Sequence, residues 1–181
     1  VTHDANHSAY SRNAKVNRHL GRVLNLIGGY DLNWRIQHNL LHHTYTNVQG
    51  LDHDIETGGI LRFSPHDPKH PAHRFQYVYA WFFYAIMSLY WMTVRDFKQL
   101  AKFRTEKLGN VHNDYRKVLW ELISWKTAYY TYILVIPMLV APGPWYWVPI
   151  GWLVMHVVAG SLLSAIFQPA HVMPSSEFPV P

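Results

Sequence analysis

Residues 34–56 read WRIQHNLLHHTYTNVQGLDHDIE, and three histidines near its start, His38, His42 and His43, form the pattern HxxxHH. On a helix, positions four apart share a face, so His38 and His42 project towards one point. His43 lies about 100° further round. One short helix can thus offer two imidazoles to one point and a third to a neighbouring one. Imidazole suits iron, zinc, copper and nickel, and a cluster without cysteine favours a nitrogen-ligated ion. A solvated helix end that happens to be rich in histidine is the plainer alternative. A second cluster upstream argues against it.

That second cluster opens the chain as HDANH, with His3 and His7 again at i and i+4. Two histidines at this spacing can hold zinc in an HExxH helix. Here Asp4 follows His3, and no glutamate follows the first histidine of either box. Five histidines in two boxes exceed what one tetrahedral zinc needs. Two ions sharing a nitrogen set fit the count better.

HDANH, WRIQHNLLHHTYTN and DHDIE, with FQPAHVMPSSEFP near the end, together resemble the membrane fatty acid desaturases, nearest to bacterial front-end or linoleoyl-CoA desaturase-like members. The likeness covers nearly the whole chain. Related membrane hydroxylases share the scheme, so the spacing alone does not fix the reaction. The resemblance implies a di-iron centre of two non-haem iron ions on the cytoplasmic face, O2 as co-substrate, and an acyl chain from a membrane lipid or acyl-CoA in a tunnel among helices. Electrons would come from an electron-transfer protein such as cytochrome b5 or ferredoxin. It also implies that His171, in FQPAH, completes the metal sphere, giving His3, His7, His38, His42, His43 and His171 as the ligand set. Two spanning helices before the first box and a third box, QxxHH, after Pro181 are expected from the same likeness. The chain has no initiator methionine or signal peptide at its start, and it reads as an internal piece of a single desaturase domain.

Composition agrees with a membrane setting. Tyrosine (12), tryptophan (8) and phenylalanine (8) are abundant, as expected at a membrane–water boundary. Mean hydropathy is near neutral, but this hides a polar stretch from Val1 to Arg74 followed by apolar blocks. The absence of cysteine excludes disulfides, iron–sulfur clusters and thiol catalysis within the chain. The net charge of +5 is scattered among membrane-like segments without a nucleic-acid motif, so it reads as loops beside an anionic leaflet.

The expected architecture is an all-α integral membrane protein. A transmembrane helical hairpin joins cytoplasmic and interfacial helices that carry the boxes. Residues 1–75 form the cytoplasmic box region. Asp4, Asp52, Asp54 and Glu56 are candidates to accept N–H bonds from ligand imidazoles; direct ligation by the carboxylates after box two is the rival role. His53, His66, His70 and His73 sit among Pro65, Pro68 and Pro71, and read as solvated loop residues. Residues 76–94 are nineteen without a charge, long enough to span. Yet the following stretch, Arg95 to Lys117, holds seven Lys/Arg against three Asp/Glu, which marks residues 95–125 as a basic cytoplasmic loop. If both lie on the side of the boxes, 76–94 cannot cross, and it is read as an interfacial helix pair. Residues 126–167 form the hairpin around Pro142-Gly143-Pro144, and 168–181 return to the cytoplasmic side with His171. His156, fifteen residues before His171, is about 22 Å away along a helix. It cannot share an ion with it, and makes either a helix–helix hydrogen bond or a wall of the acyl tunnel.

No ordinary side chain can remove hydrogen from an unactivated methylene, so an O2-activating metal is required. Three readings therefore stand: an acyl desaturase, a membrane di-iron hydroxylase or oxygenase with the same boxes, and a non-enzymatic metal-binding membrane piece.

Overall fold

Glycine and proline decide where the helices stop. In the computed structural model, which describes residues 1–55, 58–171 and 176–180 (backbone alone for 168–171), no strand occurs among the described residues. The helices are α1 (Thr2–Asn6), α2 (Ala14–Gly21), α3 (Val23–Leu26), α4 (Asp31–Trp34), α5 (Gln76–Tyr90), α6 (Asp96–Thr105), α7 (Val111–Tyr130), α8 (Ile136–Val140) and α9 (Trp147–His171). Three π-helical stretches carry the chain onward: Arg35–His42 after α4, Trp91–Arg95 between α5 and α6, and Thr131–Val135 between α7 and α8. The chain divides into two compact units, one of residues 1–36 and 90–154, the other of residues 37–89 and 155–181.

In the first unit, Asn13 caps α2 by accepting the Lys15 N–H at 2.9 Å, which satisfies one of the free donors of a helix start. Gly28 then adopts φ +93°, and a Cβ there would lie 2.9 Å from both the Met92 sulfur and the Tyr129 ring. Only glycine supplies that angle and that clearance. The core around this turn is Tyr30, Leu100, Phe103, Val111, Leu122 and Tyr129, each at most 2% exposed. A buried polar network runs through it. Lys126 Nζ lies 2.6 Å from both Asp96 Oδ2 and the Gly28 carbonyl oxygen, and Asn33 Nδ2 donates to the Asp96 carbonyl at 2.7 Å. A buried charge persists only when paired and hydrogen-bonded in this way.

In the second unit, α5 and α9 run antiparallel. Ser88 Oγ donates to the His156 carbonyl at 2.7 Å and lies 3.1 Å from His156 Nδ1. Two turns on, Ser164 Oγ reaches the Tyr84 carbonyl at 3.5 Å. Gly160 sits between these contacts, where a Cβ would collide with the carbonyls of Ala85 and Tyr84. The loop of residues 43–70 is tied down by Gln49 Nε2 donating to Asp67 Oδ1 at 2.8 Å and by Arg62 Nε donating to the Asp67 carbonyl at 2.9 Å.

Two expectations need correction. Residues 76–94 are not a pair of helices: α5 continues without a break through Trp91–Arg95 into α6, because nothing between Gln76 and Val94 is glycine or proline. The basic stretch 95–125 is helical rather than a loop. It turns at residues 106–110, where Lys107 and Gly109 take φ of +57° and +54°, and kinks at Asp114, where φ is -106° and ψ 20°. Of the expected hairpin, one helix among the described residues is long and apolar enough to cross a membrane: Trp147–Phe167, 21 residues with mean hydropathy 1.9. The other limb opens inside α7, whose start carries Asp114, Arg116, Lys117 and Glu121. Leu153, Val154, Val158, Leu162 and Ile166 on α9 are exposed, whereas a core helix would bury such residues.

Candidate metal centre

Box one belongs to the first unit and box two to the second. In box one, α1 brings the His3 and His7 rings to a centroid distance of 4.6 Å. Its five residues have no side-chain N-cap, so the helix depends on what it packs against. Ala5 and Asn6 are buried, and Asn6 Nδ2 donates to the Gly21 carbonyl of α2 at 3.4 Å. Both imidazoles meet the Trp34 indole edge-on at 5.5 Å. Asp4 lies 3.1 Å from His3 Nδ1. That hydrogen bond holds the exposed Asp4 carboxyl below its usual range.

Box two lies on the π-helical stretch Arg35–His42, and the His43 N–H continues its i→i+5 pattern by donating to the His38 carbonyl at 3.1 Å. This wider turn changes the expected geometry. With i→i+5 bonding, positions four and five along both come near one face, so His42 and His43 flank His38 instead of diverging. The ring centroids are 5.4 Å apart for His38–His42, 4.7 Å for His38–His43 and 5.6 Å for His42–His43. Such π segments recur at functional sites.

Beneath this trio, Asp52 is fully buried. Its Oδ2 receives the His42 Nδ1–H at 2.9 Å and the Asn47 N–H at 2.9 Å, while Oδ1 receives the Asp54 N–H at 3.0 Å. Burial pushes the Asp52 carboxyl up, but the three donors outweigh it and leave the group below the ordinary value. The hydrogen bond from Asp52 raises the His42 imidazole against the opposing effect of burial. The tight loop that delivers Asp52 depends on Asn47 at φ +58° and Gly50 at φ +78°. Asp54 joins His42 and Asp52 in a cluster whose potential ligand atoms all lie within 4.8 Å of one another.

The remaining candidates fall elsewhere. Glu56 and the His171 side chain lie outside the described residues. His156 is engaged with Ser88, as the helix–helix reading expects. Among the loop histidines, His66 Nε2 is 2.9 Å from the Phe178 carbonyl, His73 Nε2 is 3.0 Å from the Gly59 carbonyl, and His73 Nδ1 accepts the His70 N–H at 3.1 Å. Trp34 is the residue that the sequence reading passed over. Its place four residues before His38 was visible, but its contact with box one was not.

The donor set of grouped imidazoles, a carboxylate anchoring one of them and no thiolate fits a nitrogen-ligated transition ion such as iron. A profile of the fatty acid desaturase family matches residues 1–179. The chain is 34% identical to the sn-1 linoleoyl-lipid 6-desaturase of Synechocystis sp., over all of this chain and 50% of that protein. It is 30% identical to the enzyme of the same name from Arthrospira platensis, over 98% of this chain and 48% of that protein. An acyl-lipid (8-3)-desaturase of Physcomitrium patens is 29% identical over the whole chain and 38% of its own length. The chain therefore belongs to the fatty acid desaturase family, a membrane-associated family of iron- and O2-using oxidoreductases. It spans about half the length of the two linoleoyl-lipid 6-desaturases it matches. No solved structure matches it.

Proposed function

We propose that the complete protein is an O2-dependent acyl-lipid desaturase, introducing a double bond into a fatty acyl chain carried on a membrane lipid. Relatives named for lipid-linked substrates support a lipid carrier over acyl-CoA. The observation that carries the reading is the packing of the HxxxHH rings above a buried carboxylate that fixes His42. In the reaction, two adjacent methylenes each lose one hydrogen. O2 is reduced to two waters, with two further electrons and two protons arriving from a small redox protein of the cytochrome b5 or ferredoxin class.

His3, His7, His38, His42, His43 and His171 would hold two iron ions, which supply the O2-activating power that no side chain has. Asp52 accepts the Nδ1–H of His42 and so presents its Nε2 lone pair outward. Three of the roughly four lone-pair sites of Asp52 already accept N–H donors, which favours orienting His42 over direct ligation. Asp54 closes the same loop through its backbone, and Asp4 stands in the equivalent place beside His3. Apolar α9, with His156 turned into its contact with α5, lies in the membrane and helps to exclude water from the acyl chain. The boxes face the cytoplasm.

Expression of the complete gene product in a desaturase-deficient host, followed by gas chromatography and mass spectrometry of the fatty acids, tests this. A new double bond that disappears in His42→Ala is expected. A hydroxylated product would move the reading to a hydroxylase, and wild-type desaturation by His42→Ala would refute the ligand assignment.

A further inference from the structure

We propose that Trp34 is a positioning residue whose indole forms the wall that sets the His3 and His7 imidazoles towards a common ion. This rests on box one being part of the metal centre. The contacts of α1 fix its backbone through Ala5, Asn6 and Gly21. At the rings, Asp4 lies 3.1 Å from His3 Nδ1 and the two imidazoles touch each other at a centroid distance of 4.6 Å. Trp34 restricts both at once. Its ring meets His3 at 77° and His7 at 75°, each with centroids 5.5 Å apart, which is the favoured edge-to-face arrangement of aromatic pairs. An indole has no lone-pair acceptor, so it orients the imidazoles without adding a ligand of its own.

The wall is itself held from both sides. The preceding Asn33 is fully buried and donates to the Asp96 carbonyl at 2.7 Å, and Lys126 pins the Asp96 carboxylate at 2.6 Å. The following Arg35 pairs with Asp31 at 3.1 Å, and Asp31 accepts from Asn25 Nδ2 at 2.8 Å. The backbone that carries the indole is thus rooted in the best-packed part of the first unit. The polar network of Asn25, Asp31, Asn33, Asp96 and Lys126, which has no part in chemistry, then has a purpose: it keeps Trp34 still.

The test uses the complete gene product, purified in detergent, stripped of metal and titrated with Co2+ alone. The visible absorption of the bound ion reports on its nitrogen ligands. Trp34→Ala should weaken Co2+ binding by about 10- to 100-fold, the range seen when groups that orient metal ligands are lost, and should alter the absorption band. Trp34→Phe, which keeps a flat ring, should recover most of the affinity. Leu24→Ala, a buried site in the same unit beside Gly29, is the control for simple destabilisation. If it weakens Co2+ binding as much as Trp34→Ala at an equal loss of melting temperature, Trp34 is only structural and the proposal falls. His3→Ala separates the two layers. Unchanged binding there would refute the box-one reading itself, whereas weakened binding there with wild-type binding in Trp34→Ala would refute the positioning role alone. Should Trp34→Ala not fold, Trp34→Leu keeps the bulk without the flat ring. Wild-type affinity in it, or failure of both to fold, would overturn the proposal.

Discussion

Asp52 offers the sharpest separation between a residue that binds the ion and one that aims a ligand at it. Replacing it by asparagine keeps the shape and removes the charge. The carboxylate receives three N–H donors, at 2.9, 2.9 and 3.0 Å. An asparagine can turn its carbonyl oxygen to the two donors on the Oδ2 side, from His42 and Asn47. Its amide NH2 then faces the Asp54 N–H, donor against donor, in a site with no solvent access. A buried donor left unsatisfied costs about 1–3 kcal/mol, and hydrogen bonds to an ionised acceptor are worth about 1.5–3 kcal/mol. Asp52→Asn should therefore destabilise the metal-free chain by roughly 2–3 kcal/mol. Because the amide still holds the His42 ring, metal affinity should fall by only about tenfold, near the low end for a residue of this kind; that is about 1.4 kcal/mol. Asp52→Ala, which frees the ring, should fall towards about 100-fold. Thermal unfolding with and without Co2+, with His42→Ala alongside, reads both quantities. If Asp52→Asn loses as much affinity as His42→Ala, Asp52 is a ligand and the orienting role is wrong. Unchanged affinity would remove Asp52 from the site altogether.

The buried pair Lys126–Asp96 gives a second expectation: Lys126→Met should cost about 3–5 kcal/mol by stranding a carboxylate, whereas Lys126→Met with Asp96→Leu should recover much of that, as measured by a double-variant cycle in thermal unfolding. Gly160→Leu should separate α5 from α9, because the side chain would start against the Ala85 and Tyr84 carbonyls; a disulfide cross-link engineered between positions 88 and 156 should then form poorly, and undiminished cross-linking would refute the packing. The His42–Asp52 pair predicts a pH window for the metal-free chain. The raised His42 contributes fully below the ordinary imidazole value of 6.5 and is lost as pH climbs through its higher folded value, while the lowered Asp52 contributes above 3.8 and is lost as pH falls through its folded value. The stability advantage of wild type over Asp52→Ala should therefore be largest between those two values and shrink as pH rises through the raised His42 value, and a difference that stays flat from acid to alkaline pH would show that the pair contributes nothing.

What the sequence revealed of the fold follows from which residues act locally. Gly28-Gly29 and Pro142-Gly143-Pro144 stop helices wherever they occur, so those breaks were legible. The hydrogen bond of His156 was legible for a similar reason: a polar ring in an apolar helix has few partners to choose from, and Ser88 is one. The basic stretch after residue 95 was misread because charge was allowed to stand for loop. Arg, Lys and Leu are good helix formers, and α6 needs only one buried stripe, Leu100 and Phe103, to be held in place. The reading of 76–94 as two helices erred in the same direction. It inferred a bend from a requirement of sidedness, when nothing in the local sequence supplies one.

For the candidate site, the sequence carries the identity of the ligands but not their aim. HxxxHH names three imidazoles, and an α-helical template then sends the third astray. The chain instead opens the turn at Arg35–His42, a choice that depends on the packing of both flanks and not on any residue within the motif. A π turn forfeits the better i→i+4 bonds, so it persists only where surrounding contacts over-determine it. Such contacts are present at both ends. Upstream, Asn33 and Asp31 are anchored through their side chains. Downstream, Asp52 holds the His42 ring while Thr46 Oγ donates to the His42 carbonyl at 2.7 Å, replacing a partner that the irregular helix end leaves out. The cost of the widened turn is thereby met by polar contacts outside the box. Box one solves the opposite problem: its helix is too short to hold itself, and it borrows order from α2 through Asn6 and the Gly21 carbonyl, with Trp34 against its two rings. In both cases the residues that make the histidines useful lie outside the pattern that reveals them, Asp52 nine positions past His43 and Trp34 twenty-seven past His7, and spacing rules that look only at the histidines pass them by.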